Sequence, residues 1–230
     1  MKALAIDSAV SKLTISAKND EFSVSTIFDI GMKQSETLLP AIDYVLSKLN
    51  ITTDDLDYLV LSKGPGSFTG LRLAFAALKS IEMAKDIPLY GISTLDAYSY
   101  HYQNLPLTVL CCIDAKKDKF YTKITKENDT VLAEGDYTFE EIANAIQNQK
   151  ELLICGSDAD KMSNLISEHF SDTIKCYTQD FNIITTNSLF NLAEKKIASN
   201  EDTLKDFEGP TYLRASEAEE NLKDPVKFSV

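Results

Sequence analysis

The sequence is poor in the residues that build metal centres. Its 230 residues include only two histidines, His101 and His169, and four cysteines. A zinc site would need these scattered residues to converge, because no two cysteines form a Cys-x-x-Cys pair. Buried, reduced thiols are the better interpretation. We therefore predict no metal site; the cysteines are Cys111, Cys112, Cys155 and Cys176.

Long apolar runs are also missing. No segment approaches the roughly 20 apolar residues that a membrane-spanning helix needs. The start of the chain, Met1 to Asp7, has the pattern of a strand ended by an acid, and it lacks the cleavage site of a signal peptide. We expect a cytoplasmic protein with no membrane partner.

Positive charge is scarce, since the formal net charge is −12. Binding of phosphate backbones draws on clustered lysine and arginine, so a chain this acidic is a poor binder of tRNA or DNA on its own. If nucleic acid is involved, a more basic partner should hold most of it.

The first hundred residues predict a β-β-β-α-β-α unit closed by a further strand. Apolar alternation and short apolar runs predict the strands, and apolar residues at helical spacing predict the helices. The predicted strands are 3–6, 13–17, 22–28, 58–62 and 89–92, and the predicted helices are 35–49 and 69–85.

The rest of the chain repeats this order. Asn128 and Asp129 predict a hairpin turn, and Thr138 with Glu141 forms the capping box of a helix that ends near Gln147. The predicted strands are 107–113, 120–124, 131–137, 152–156 and 174–177, and the other predicted helices are 159–170 and 188–199.

Both halves begin with a strand that ends in an acid, Asp7 in the first and Asp114 in the second. Such a duplicated unit is how the ribonuclease H-like folds of the actin–sugar kinase–heat-shock superfamily are built. We predict an α/β protein with two ribonuclease H-like lobes, 1–106 and 107–214, and a polar tail at 215–230.

A glycine-rich turn lies between the strand at 58–62 and the helix at 69–85. Backbone N–H groups at such a junction can converge on an anion, or the junction can be a tight turn with Ser67 or Thr69 as helix cap. The turn lacks the lysine of a P-loop and the spacing of a nucleophile elbow. Its residues are Gly64, Pro65, Gly66, Ser67, Thr69 and Gly70.

In this superfamily, acids at the ends of the two first strands face each other across a cleft and help hold the metal and phosphates of ATP. Asp7, Ser8 and Asp114 would be the remnants of that cleft. Neither following turn contains glycine, so Cβ atoms would crowd a phosphate. We expect ATP binding to be weak or absent and no other cofactor; alternatively, Asp7 simply caps its turn.

The helix at 69–85 is apolar on nearly all sides, which predicts burial on more than one side. The helix at 35–49 can cover part of it, and a partner protein is the natural cover for the rest. Alternatively, the helix is enclosed by its own domain. The predicted partner interface is Leu38, Leu39, Ile42, Leu46, Leu71, Phe75, Leu78 and Glu82.

Six segments of the chain resemble the TsaB (YeaZ) family, in the expected order and over nearly the whole length. The most specific is Gly-Pro-Gly-Ser-Phe-Thr-Gly-Leu-Arg at 64–72. The others are Leu-Ala-Ile-Asp-Ser-Ala at 4–9, Ser-Glu-Thr-Leu-Leu-Pro at 35–40, Ile-Ser-Thr-Leu-Asp-Ala at 92–97, Ile-Asp-Ala-Lys-Lys at 113–117 and Pro-Thr-Tyr-Leu-Arg at 210–214.

The resemblance implies a non-catalytic subunit in bacterial tRNA modification. TsaB-like proteins help make threonylcarbamoyladenosine on tRNAs that read codons beginning with A. They bind the transferase TsaD through the two helices of the first lobe, or form a homodimer when alone, and the small ATPase TsaE joins the complex. The tRNA is then engaged only through the complex. The metal-binding His-x-x-x-His of TsaD is missing here.

Two departures and one alternative accompany the resemblance. The family commonly has His where this chain has Gln34, and often has Gly where this chain has Asp118. The alternative function is an active ATP-dependent enzyme of the same superfamily, such as a small-molecule kinase. A peptidase is disfavoured, because no metalloprotease or serine site is apparent.

Overall fold

The computed structural model describes residues 1–127, 129–179 and 184–214. The predicted tail at 215–230 and Asn128 of the predicted hairpin lie outside these ranges. The first half of the chain contains β1 (Ala3–Asp7), β2 (Lys12–Lys18), β3 (Ser23–Asp29), α1 (Gln34–Lys48), β4 (Tyr58–Gly64), α2 (Phe68–Lys85), β5 (Leu89–Ser93) and α3 (Thr94–Ser99).

The second half repeats the order of the first, which is three strands, a helix, a strand, a helix, a strand and a helix. It contains β6 (Thr108–Lys116), β7 (Lys119–Lys126), β8 (Asp129–Thr138), α4 (Phe139–Ile146), β9 (Glu151–Cys155), α5 (Ala159–Phe170), β10 (Lys175–Thr178) and α6 (Thr185–Ala198). The predicted capping box forms at the start of α4, where the Thr138 N–H donates to Glu141 Oε2 at 2.8 Å.

Each half forms a five-stranded mixed sheet with the same topology. The strand orders are β3-β2-β1-β4-β5 and β8-β7-β6-β9-β10. In both sheets the second strand pairs antiparallel with the first and the third. The fourth strand pairs in parallel with the first, and the fifth pairs in parallel with the fourth. This equivalence confirms the predicted duplication and the α/β fold of two ribonuclease H-like lobes.

Alternation along the strands divides the core into three parts. Leu4 and Ile6 of β1 face a core shared with α1 and α2, whereas Ala3 and Ala5 face the opposite side. Helices α4 and α5 cover the far side of the second sheet. Helices α3 and α6 contribute to the core that lies between the two sheets, so the order of layers is helices, sheet, helices, sheet, helices.

The middle layer ties the two halves together. Helix α6 belongs to the second half of the chain, yet Phe190 packs edge-on against Tyr58 of the first sheet with ring centroids 6.4 Å apart. Helix α3, from the first half, shares its buried core with Val109 and Ile113 of β6. Each half therefore lends a helix to the surface between the sheets.

None of the helices in the described residues is long and apolar enough to cross a membrane.

Candidate functional site

The glycine-rich turn begins α2 and packs against the turn between β1 and β2. Ser67 is the N-cap of α2, and its Oγ accepts a hydrogen bond from the Gly70 N–H at 3.3 Å. The Ser67 N–H donates to the Ala9 carbonyl at 2.6 Å. One of the amides that could have served an anion is thus used by the protein's own backbone.

Two glycines of the turn are required by the closeness of this contact. A Cβ atom on Gly66 would lie 2.4 Å from the Ala9 carbonyl oxygen, and one on Gly70 would lie 2.0 Å from the Ser8 carbonyl oxygen. Real Cβ atoms do not approach oxygen this closely. The structure therefore favours the tight-turn interpretation over the anion site.

Side chains on both sides fix the turn between β1 and β2. Ser8 Oγ donates to the Gly70 carbonyl at 2.8 Å. Gln34, at the first position of α1, is buried, and its Nε2 donates to the Val10 carbonyl at 2.8 Å. The Gln34 side-chain amide therefore anchors this turn.

Asp7 is an internal hydrogen-bond acceptor. Its side chain is 3% exposed. Oδ1 accepts from Ser62 Oγ at 2.7 Å and from the Ala9 N–H at 3.1 Å, and Oδ2 accepts from Thr185 Oγ1 at 2.6 Å. Burial, together with the nearby negative charge of Asp7, raises the pKa of Tyr98 well above its ordinary value. The hydrogen bonds from Ser62 and Thr185 to Asp7 join β4 and α6 to β1.

A cleft with a cavity volume of about 480 Å³ lies between the two lobes. The first lobe lines it with Val10, Gln34 and Thr69, and the second with Asp114 and Lys116, among others. Asp7 is not among its lining residues in the described part of the chain. The expectation that Asp7 and Asp114 face each other across the cleft is therefore wrong, because Asp7 is turned inward to hydroxyl groups.

Asp114 is held by the second lobe. Its Oδ2 pairs with Lys116 Nζ at 3.1 Å and with Lys161 Nζ at 3.0 Å, while its Oδ1 accepts from the Lys116 N–H at 2.8 Å. Burial opposes the charged form, but the hydrogen bonds from Lys116 and Lys161 outweigh it and lower the pKa of Asp114. Asp158 Oδ2 accepts from the Asp114 N–H at 2.9 Å.

Most of the predicted partner interface lies in the protein's own core. The buried residues are Leu38, Ile42, Leu46, Leu71, Phe75 and Leu78. Their prediction as direct partner contacts is wrong in this fold, because the large side chains of α1 and α2 point at the first sheet. Of the other two predicted residues, Leu39 is 61% exposed and Glu82 pairs with Lys79 at 2.8 Å.

The outward face of α1 and α2 mixes small and apolar residues with charged ones, which on α1 are Glu36, Asp43 and Lys48. Between the ends of α2, which expose Phe68, Thr69 and Lys85, the exposed side chains follow a helical spacing: Arg72, Ala76, Ser80, Met83 and Ala84. Met83 is 84% exposed, and Tyr44 of α1 is 50% exposed. We call Leu39, Tyr44, Ala76, Ser80, Met83 and Ala84 the outer helical face. Because the α2 sequence is apolar on nearly all sides, it did not indicate which face packs on the sheet.

No group of three or more metal-ligating side chains occurs in the described ranges.

Comparison with known proteins agrees with this fold. The family model described as TsaD, tRNA N6-adenosine threonylcarbamoyltransferase, matches residues 31–222. A solved Pseudomonas aeruginosa structure, described as similar to the peptidase YeaZ, superposes with a TM-score of 0.73 at 18% identity, covering 93% of this chain and 99% of that one.

Two curated relatives are tRNA threonylcarbamoyladenosine biosynthesis proteins TsaB. The protein of Buchnera aphidicola from Schizaphis graminum is 31% identical over 59% of this chain and 65% of its own length. The protein of Escherichia coli K12 is 27% identical over 60% of this chain and 61% of its own length. The match thus spans less than two thirds of these relatives. The chain is similar to these TsaB proteins, and it belongs to the family described as TsaD.

Proposed function

We propose that this chain is a non-catalytic subunit that binds and activates a TsaD-like transferase in the formation of threonylcarbamoyladenosine on tRNA. The observation that carries the proposal is the outer helical face. Ala76, Ser80 and Ala84 leave the surface of α2 nearly flat, and Leu39, Tyr44 and Met83 add exposed apolar area beside it. Exposed apolar patches of this kind mark protein interfaces.

Small residues on one helix allow a partner helix to approach closely, as in helix pairs packed at 8–10 Å. Two outward-facing helices could therefore join two helices of a partner in a bundle. An interface of typical size buries about 800 Å² per partner. We propose that a TsaD-like protein covers this face in the complex, and that a second copy of this chain covers it when the chain is alone.

The groups in and around the cleft favour a non-catalytic role in which no nucleotide binds. The β1–β2 turn fills the space beside Gly66 and Gly70, Asp7 is committed to internal hydroxyl groups, and Asp114 is already paired with two lysines. An ATP-dependent enzyme would need at least one of these groups free for phosphate or metal. We propose that ATP binding is weak or absent and that the chain uses no other cofactor.

The remaining partners follow from the same proposal. With a net charge of −12, this chain would contact tRNA only through a more basic partner. The TsaE-like ATPase would join the complex in the cytoplasm.

Reconstitution tests this function. The TsaD-like protein and the TsaE-like ATPase of the same organism are combined with unmodified tRNA and the threonylcarbamoyl donor, with and without this chain. Modified nucleoside is measured by mass spectrometry. The proposal predicts product only when the chain is present, and much less with Ala76→Arg. Equal product without the chain would contradict it.

The alternative function has its own test. Turnover of ATP by the isolated chain, abolished by Asp114→Ala, would replace the proposal with an ATP-dependent enzyme. If the isolated chain does not hydrolyse ATP, or if Asp114→Ala hydrolyses it at the wild-type rate, the cleft has no catalytic role.

A further inference from the structure

The segment 204–214 follows the last helix and runs over the first lobe; we call it the C-terminal strap. The Leu204 N–H donates to the Leu89 carbonyl at 2.8 Å, so the strap starts at the β5 edge of the first sheet. The Thr211 N–H donates to the Lys63 carbonyl at 2.7 Å. A Cβ atom on Gly64 would lie 2.4 Å from the Thr211 carbonyl oxygen, so the strap lies directly on the glycine-rich turn.

Next, the strap packs on the start of α2. The Tyr212 ring lies 5.0 Å from the Phe68 ring, measured between centroids. The Arg72 guanidinium stacks 3.8 Å from the Phe68 centroid and donates from Nε to Tyr212 Oη at 3.0 Å. The glycine-rich turn and the end of the strap thus meet here in space.

The strap then crosses to the second lobe. Arg214 forms a two-pronged ion pair with Asp136 of β8, with Nε–Oδ2 at 2.9 Å and Nη2–Oδ1 at 2.8 Å. Both side chains are less than one fifth exposed. Nη1 of Arg214 also donates to the Ala115 carbonyl at 2.9 Å and reaches the Lys116 carbonyl at 3.5 Å. Planar, two-pronged pairing of this kind is strong and geometrically specific.

The carbonyls that Arg214 binds belong to a strained turn. Lys116, Lys117 and Asp118 have φ angles of 60°, 54° and 56°, which is the left-handed region that side chains disfavour. The pairing of Lys116 with Lys119 across the turn, the bond from the Lys116 N–H to Asp114 Oδ1 and the bonds from Arg214 together hold this conformation. Ala115 and Lys116 of this turn also line the cleft.

We propose that the C-terminal strap is a latch between the lobes and that Arg214 is its positioning residue. It adds to the contacts that hold the turn at 115–118 and fixes that wall of the cleft relative to α2. The distance across the cleft between the β1–β2 turn and the turn at 115–118 is thereby fixed. The latch goes beyond the proposed partner binding and does not depend on it.

Amide hydrogen exchange of the full chain tests the latch. Arg214→Gln keeps a polar side chain but removes the ion pair with Asp136 and its two parallel hydrogen bonds. We expect about tenfold faster exchange over 115–121, with the β1 and β4 amides unchanged. Arg214→Lys should fall between wild type and Arg214→Gln. Lys196→Gln, which removes a more exposed ion pair with Glu201 outside the strap, is the control and should behave as wild type.

Exchange over 115–121 within about twofold of wild type in Arg214→Gln would overturn the latch. If that variant fails to fold, Asp136→Asn removes the ion pair while leaving the carbonyl acceptors. It should then show faster exchange over the same segment; unchanged exchange would equally overturn the proposal.

The separation of the lobes gives a second readout. Spin labels at Glu36→Cys of α1 and Asp160→Cys of α5, both exposed positions, in a Cys176→Ser background, report one narrow distance if the strap is latched. Arg214→Gln should broaden it. An unchanged distance distribution in that variant would contradict the claim that the strap sets the cleft.

Discussion

Thr185 Oγ1 donates to Asp7 Oδ2 at 2.6 Å across 178 positions of sequence. This bond joins the first strand to the last helix at the centre of the molecule. Thr185→Val keeps the shape of the side chain but leaves one oxygen of a buried carboxylate without its hydroxyl donor. The free energy of unfolding should fall by about 1–3 kcal/mol. Urea denaturation measures this change.

Thr185→Ser is the matched variant, because it keeps the hydroxyl group and should retain most of the stability. Thr37→Val removes a hydroxyl that bonds the Lys33 carbonyl at an exposed position and should change the free energy of unfolding by less than about 0.5 kcal/mol. Equal losses for Thr185→Val and Thr37→Val would show that Asp7 does not depend on Thr185.

The contact between the glycine-rich turn and the β1–β2 turn makes a second prediction. Gly70→Ala places a methyl group where the Ser8 carbonyl lies 2.0 Å away, so one backbone segment must move. We expect a loss of about 1–3 kcal/mol in the free energy of unfolding, despite the better helix propensity of alanine. Thermal or urea denaturation measures it.

Gly209→Ala is the control for this substitution, because nothing lies within 4 Å of the added carbon. It should alter the free energy of unfolding by less than about 0.5 kcal/mol. A neutral Gly70→Ala would mean that the two turns are not in contact in solution.

Glu134 of β8 gives a prediction about pH. It accepts a hydrogen bond from Ser93 Oγ, and it faces Asp96, Lys123 and Lys63. Burial raises the pKa of Glu134, and the charge of Asp96 adds to that rise, while Ser93 and the lysines oppose it. The folded protein therefore keeps the proton to a higher pH than the unfolded chain does.

The sign of the effect follows from this linkage. The stability that Glu134 contributes is fully present below its ordinary pKa of 4.5 and is lost as the pH rises through the raised pKa. Glu134→Gln cannot lose a proton. The free energy of unfolding of this variant minus that of wild type should therefore be larger at neutral pH than at about pH 4. Urea denaturation at both pH values measures it; a stability difference that does not change with pH would contradict the assignment.

Much of the fold could be predicted from the sequence, because its elements have strong periodicity. The helix at 159–170 and the Thr138–Glu141 capping box are confirmed. Helix α3 was missed, since its six residues are too few for a periodic pattern. The packing of α6 on the first sheet could not be predicted, because apolar period identifies a buried face but not the sheet that buries it.

The candidate site was less predictable for related reasons. Asp7 stands at the sequence position expected for an acid of a nucleotide cleft. The hydroxyl groups that bind its carboxylate belong to Ser62 and Thr185, which are too distant in sequence for this contact to be predicted. The strap at 204–214 has no periodic pattern, and its contacts depend on tertiary structure. Most of the large apolar residues of α1 and α2 that we predicted as the partner interface lie in the core of the protein.

The central claim is that the outer helical face binds a TsaD-like protein, and calorimetric titration tests it most directly. Ala76→Arg adds a long charged side chain at an exposed position of α2, and Asn164→Arg does the same on α5 at the far side of the molecule. We expect the TsaD-like protein to bind wild type and Asn164→Arg with equal affinity, and its binding free energy to weaken by at least about 2 kcal/mol for Ala76→Arg. Equal affinity for all three, with each variant folded, would contradict it.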